Sequence, residues 1–148
     1  LINTFGQADK EVLMLNGVHH VAYVVRDLDQ AIRMFEEKFG LKLLDRKRTP
    51  EEGYGFDAAV LQAGQVKIEL ICPYTERSPY WQALQERGDH LHHVAFSTPV
   101  PLDEAIRELT PRGVRFREQA SFQSPVGWWI VNIDPASTGG LVVQLGER

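Results

Sequence analysis

His19-His20-Val21-Ala22-Tyr23 recurs 73 residues later as His92-His93-Val94-Ala95-Phe96. Leu28-Asp29-Gln30-Ala31-Ile32-Arg33 then returns as Leu102-Asp103-Glu104-Ala105-Ile106-Arg107, and Gly40-Leu41-Lys42 as Gly113-Val114-Arg115. Matched blocks in one order, with a single-residue slip between them, mark a tandem duplication, and each copy can be assigned once and tested against the other.

Each copy opens on a run rich in branched and aromatic residues, Val18 to Val25 and Leu91 to Ser97, which suits a strand. A helix follows. In the first copy Asp27 is a fair N-cap, Leu28, Ala31, Ile32, Phe35 and Phe39 fall at helical spacing, and Gly40 ends the helix. In the second copy Leu102, Ala105, Ile106 and Leu109 repeat the stripe, and Pro111 shortens or distorts the last turn before Gly113. Strands are then expected at Leu41 to Arg46, Phe56 to Gln62 and Val66 to Ile71, with Ala63-Gly64 as a hairpin turn. The corresponding runs in copy two are Val114 to Arg117, Trp128 to Ile133 and Leu141 to Leu145, with Pro135 to Gly140 as the connecting loop. Ser78 to Arg87 reads as a linking helix with Ser78 as N-cap, Pro79 at its first position and Gly88 beyond its end.

The expected architecture is α+β: two tandem βαβββ modules forming a curved mixed sheet around a central cavity. Residues 18–145 make one domain, built of module 18–73, linking helix 78–87 and module 90–145. Residues 1–17 lack steady periodicity and are expected as an N-terminal extension that frays or clasps a partner.

Alternation along a strand sets its faces. His20 shares a face with Val18, Ala22 and Val24, and His93 shares one with Leu91 and Ala95. By the repeat, His20 and His93 should meet across a pseudo-twofold axis. The last strands align Ile68-Glu69-Leu70 with Val143-Gln144-Leu145, each a polar residue between apolar ones. His20, Glu69, His93 and Gln144 thus form a candidate ligand set for one divalent metal ion, with Co, Zn, Ni, Mn and Fe not distinguished. A lone strand histidine is more often packed or hydrogen-bonded without metal, but the repeat outweighs that reading. A carboxylate on the apolar strand of Val66, Ile68 and Leu70 would be expensive to bury without a cationic partner. Parity turns His19 and His92 away from the centre, and His90 precedes its strand, so these three are left with a supporting role or none.

Composition narrows the function. Sixteen basic against twenty acidic residues give a net charge of -4, with no basic face interleaved with aromatics, so nucleic acid is not an expected partner. No stretch approaches the apolar length of a membrane span, and no signal peptide is recognised in the opening residues. The single cysteine, Cys72, lies in an apolar run and is expected as core in a reducing, cytoplasmic setting. Trp128 and Trp129 face opposite sides, so one of them can wall the cavity. Pro135-Ala136-Ser137-Thr138-Gly139-Gly140 lacks phosphate-loop spacing, although Ser137 and Thr138 are in a position to meet an anionic group at the pocket mouth.

From Val18 to Leu145 the chain resembles the glyoxalase and methylmalonyl-CoA epimerase branch of the vicinal oxygen chelate superfamily, and the epimerases most. The resemblance is carried by Val18-His19-His20-Val21-Ala22-Tyr23, Thr49-Pro50-Glu51-Glu52-Gly53, Lys67-Ile68-Glu69-Leu70, Leu91-His92-His93-Val94-Ala95-Phe96, and the segment from Asp134 to Gly140 leading into Gln144. It implies a small-molecule substrate with adjacent oxygens chelated by a metal, a proton moved by a carboxylate, and a homodimer. The chain departs from the epimerase pattern at Gln144, where glutamate is typical, and at Phe56, where a second glutamate serves as base. Phe56 is then expected against the substrate, and Glu69 as both ligand and base. Three functions remain open: a metal-dependent isomerase, epimerase or lyase acting beside a carbonyl; a non-haem Fe(II) oxygenase; and a non-catalytic binding or resistance protein.

Overall fold

The structure is a computed structural model and describes residues 12–147. Eight strands form one curled mixed sheet in the order β2-β3-β4-β1-β5-β8-β7-β6. The strands are β1 (Val18–Val24), β2 (Lys42–Arg48), β3 (Phe56–Ala63), β4 (Val66–Pro73), β5 (His90–Ser97), β6 (Phe122–Gln123), β7 (Trp129–Asn132) and β8 (Val143–Glu147), and the helices are α1 (Leu28–Phe39), α2 (Trp81–Arg87) and α3 (Leu102–Leu109). The order is palindromic about the antiparallel β1–β5 pair. The match extends to register: Ala22 pairs with Glu69 in the parallel β1–β4 ladder, and Ala95 pairs with Gln144 in the parallel β5–β8 ladder.

Helices α1 and α3 cover the outer face. On α1, Leu28 and Ile32 pack with Ala59, Leu61 and Leu70. On α3, Leu102, Ala105 and Leu109 pack with Val131, Ile133 and Leu145. Because neighbouring strand residues point to opposite faces, burying Leu70 and Leu145 under helices turns Glu69 and Gln144 to the inner face. There α2 fills the first module, with Leu84 packed among Ala22, Val24, Phe56, Ala58 and Ile71.

Local chemistry explains the helix ends. The Asp27 side chain accepts from Gln30 N, and Gly40, at φ 68°, closes α1 in the left-handed conformation. On α3, Pro111 gives the expected distortion: the helix stops at Leu109 and continues as a 3-10 turn over Thr110–Arg112. The segment before β1 lies against the second module, with Leu13 and Leu15 in its core and Asn16 and Gly17 hydrogen-bonded to Ser97. The rest of the expected extension, residues 1–11, lies outside the described residues.

Two expectations need correction. The linking helix starts at Trp81, not at Ser78. Ser78 instead forms a turn, its carbonyl accepting from Trp81 N and its hydroxyl from Tyr80 N. The strand expected at 114–117 is reduced to one bridge, Phe116 with Ile133, and the edge is completed by β6 further on. The interruption has a local cause. The Glu118 carboxylate takes the Asn132 backbone N–H at 2.7 Å, so no strand carbonyl can.

Candidate metal centre

His20 and His93 face each other across the β1–β5 seam with their Nε2 atoms 3.2 Å apart. With Glu69 they form a buried group whose donor atoms all lie within 4.8 Å of one another. Exposure is 1 % for His20, 5 % for His93 and 8 % for Glu69. Burial, helped by the neighbouring His93 and His19, depresses His20 to a pKa of about 2. Burial together with His92 depresses His93 to about 3. Both rings are therefore neutral and each keeps a lone pair. Burial drives Glu69 the other way, to about 7. Glu69 has no ion pair or hydrogen bond with any described residue.

The donor set fits a divalent cation. Two nitrogen ligands held about 2.1 Å from one ion stand roughly 3 to 3.5 Å apart, which matches the His20–His93 separation. A desolvated carboxylate beside neutral imidazoles also lacks the positive charge that an ion would bring. Gln144, 8 % exposed, faces His20 and partly offsets its depression. Its Nε2 donates to Asn132 Oδ1 at 2.9 Å, which leaves its carbonyl oxygen as the atom able to face the centre. Asn132 is itself fixed by Glu118.

The parity argument holds for His20 and His93 and fails for their neighbours, because both central strands carry a bulge. Val18 pairs with Phe96 and His20 with Ala95, which leaves His19 as the extra residue; Ala22 pairs with His93 and Tyr23 with Leu91, which leaves His92 as the extra residue. A bulge bends its strand and re-aims a side chain. Accordingly His19 Nδ1 lies 2.8 Å from His20 Nδ1, and His92 Nδ1 lies 2.8 Å from His93 Nδ1. Four imidazoles run in a continuous line, His19, His20, His93, His92.

Trp128 closes the centre on one side, its ring tilted over His20 at 4.4 Å and edge-on to His19 at 5.1 Å. Trp129 is on the outer side and half exposed. On the other side a cavity of about 360 Å³ opens, lined by His93, Gln144, His92, Tyr80, Asn132 and Arg117 among others. Tyr80 packs edge-on against Phe56 and His92, and burial and the nearby Glu69 hold its phenol well above the usual range. Arg117 forms no ion pair with a described residue.

Of the residues expected to touch substrate, Phe56 is buried in the core beneath Tyr80. Ser137 and Thr138 use their hydroxyls on backbone groups: Ser137 accepts from Arg115 N and donates to Asp134 O, and Thr138 donates to Leu141 O. The sequence reading missed Tyr80, Arg117 and Asn132. Only Asn132 carried a signal, as the polar residue within Trp129-Ile130-Val131-Asn132-Ile133. Cys72 is half-buried against the α1 core, its Sγ near Arg26 O.

Comparison with known proteins follows the same lines. Residues 19–128 match the family described as the Glyoxalase/Bleomycin resistance protein/Dioxygenase superfamily. The chain belongs to that superfamily. It is 32 % identical to the uncharacterized protein YqjC of Bacillus subtilis over 133 residues, covering 90 % of this chain and 93 % of that protein. It is 25 % identical to the mitochondrial methylmalonyl-CoA epimerase of Mus musculus, over 95 % of this chain and 78 % of the enzyme. The crystal structure of methylmalonyl-CoA epimerase from Mycobacterium tuberculosis superposes with a TM-score of 0.81 at 25 % identity, covering 99 % and 95 % of the two chains.

Proposed function

We propose that this protein is a metal-dependent isomerase of the epimerase kind, moving a proton on the carbon next to a carbonyl. The observation that carries the reading is Glu69, a buried carboxylate with no cationic partner among the described residues, grouped with two neutral imidazoles of which His93 lines a cavity. The likeness to methylmalonyl-CoA epimerases supports the same chemistry.

His20, Glu69 and His93 would hold the ion, with the Gln144 carbonyl as a fourth, weaker donor. A divalent ion bound there supplies a Lewis acid that draws charge onto two adjacent substrate oxygens. The chain does the rest. Glu69, the one carboxylate of the group, would take and return the proton, its ionised form favoured once a cation is bound beside it. Gln144 holds its position but cannot accept a proton, because an amide has no basic site in this range. Trp128 and Tyr80 would keep water from the reacting carbon, and Arg117 places a positive charge in the cavity wall for an anionic part of the substrate, such as a carboxylate or the phosphates of an acyl-CoA. A homodimer in a cytoplasmic setting belongs to this proposal.

Solvent deuterium exchange into methylmalonyl-CoA by metal-reconstituted protein tests it. Incorporation at the carbon next to the carbonyl is expected, falling at least about 100-fold in Glu69→Gln. No exchange into this or other 2-methyl-branched acyl thioesters would defeat the epimerase reading.

Two histidines and one carboxylate with open positions also describe a non-haem Fe(II) oxygenase. Iron in the protein as isolated, with oxygen uptake on substrate addition, would favour that second reading.

A further inference from the structure

We propose that His19 and His92 are positioning residues that lock His20 and His93 in the tautomer a metal needs, each by accepting a hydrogen bond at Nδ1. This rests on the reading of His20 and His93 as ligands.

A neutral imidazole carries one proton, so a ring that gives its Nε2 lone pair to an ion must hold its hydrogen on Nδ1. That N–H needs an acceptor, and around metal sites a carboxylate, a backbone carbonyl or water commonly fills the role. In this protein the atom 2.8 Å from His20 Nδ1 is His19 Nδ1, and the atom 2.8 Å from His93 Nδ1 is His92 Nδ1, each able to accept that hydrogen. The outer rings must then carry their own hydrogens on Nε2, and the choice is transmitted from each bulged residue to the Nε2 of its neighbour. Nothing is oxidised or transferred; only the site of one proton on each ring is fixed.

Three further observations show that the arrangement is built. Each outer histidine is the inserted residue of a β-bulge, and the bulges stand at corresponding places in the two copies. His19 is 2 % exposed, as deeply placed as the ligand it touches. Gly146 on β8 leaves room for its ring: a Cβ there would stand 2.8 Å from both His19 Cγ and Nδ1. Gly146 is not among the glycines with positive φ, so space rather than backbone conformation demands glycine at this position.

The test is Co(II) binding, measured by chelator competition and by the visible spectrum of the bound ion, with folding checked by circular dichroism. His19→Ala and His92→Ala are expected to weaken Co(II) binding roughly 10- to 100-fold and to change the spectrum. His19→Asn and His92→Asn, which place an amide oxygen near the lost Nδ1, should restore much of it. Gly146→Ala, which removes no donor and only displaces the His19 ring, should weaken binding in the same direction. In the zinc-loaded parent, ring 15N shifts should report Nδ1–H on His20 and His93 and Nε2–H on His19 and His92. A parent that binds Co(II), with folded alanine variants that bind it equally well, overturns the positioning role and leaves the metal centre standing. A parent that binds no Co(II) overturns both. Should His19→Ala fail to fold, His92→Ala and the 15N shifts decide alone.

Discussion

The two modules share a backbone plan and diverge in what they place on it. In the first, the last-strand position holds Glu69, a carboxylate with no ion pair among the described residues, and β2 runs seven residues along the edge. In the second, the same position holds Gln144, anchored through Asn132 to Glu118, and the edge strand β6 has only two residues. The inner face of module one is filled by Leu84 and Tyr80, whereas beside module two the cavity lies open. Duplication therefore supplies the candidate donors in pairs, and divergence gives one half the carboxylate and the other half the opening.

The largest effect expected from breaking this contrast is at the last-strand pair. Glu69→Ala should abolish stoichiometric metal binding and deuterium exchange. Gln144→Ala should cost about 10-fold in metal affinity, since an amide is a weak and replaceable donor. Equal losses, measured by elemental analysis and chelator competition, would mean that the halves are not specialised.

Next comes what the modules share. Leu70 and Leu145 are both fully buried under helices, so truncating either to alanine should cost about 2–5 kcal/mol in urea unfolding. A large difference between them would show one module to be the stable nucleus of the other.

Protons give a third test. His20 at about 2, His93 at about 3 and His92 at about 4 all lie below the unfolded value of 6.5, while Glu69 at about 7 lies above its unfolded 4.5. As pH falls below 6.5 the unfolded chain takes up protons on these imidazoles that the folded chain refuses. Against this, the folded chain keeps one proton on Glu69 between pH 4.5 and 7 that the unfolded chain releases. Three sites outweigh one, so the metal-free protein should lose stability from pH 6.5 towards 4.5, with Tm falling roughly several degrees per pH unit. His93→Gln should flatten that slope. Metal affinity should fall over the same range, because Glu69 is then protonated.

The smallest effect lies at the helix starts. Asp27 caps α1 and Asp27→Ala should cost about 1 kcal/mol, whereas α3 begins after Pro101 with no side-chain cap and Pro101→Ala should cost less, by the same unfolding measurement.

Much of the fold was legible because the repeat let one copy check the other. Apolar spacing located α1 and α3, end signals located the linking helix but not its start, and the parity of Glu69 and Gln144 followed from leucines on their outer side. What escaped depended on partners distant in sequence. The bulges at His19 and His92 leave no trace in a period-two pattern, since the inserted residue is visible only against the strand it pairs with. The shortened edge of module two depends on a carboxylate that competes with a strand for one N–H. Tyr80 and Arg117 lie where the expected linking helix and edge strand do not form, and they gain their place in the cavity only when the sheet curls.

The palindromic sheet has a consequence for how the centre is assembled. The proposed donors are divided along the β1–β5 seam, His20 and Glu69 on one side and His93 with the proposed Gln144 on the other, so each half alone would be half a chelator. Residues 74–89, which carry α2 packed on the first module, join those halves and turn what would be a bimolecular encounter into an intramolecular one. The integrity of the centre is thereby made independent of how dilute the protein is, and cutting that tether would make metal affinity depend on protein concentration.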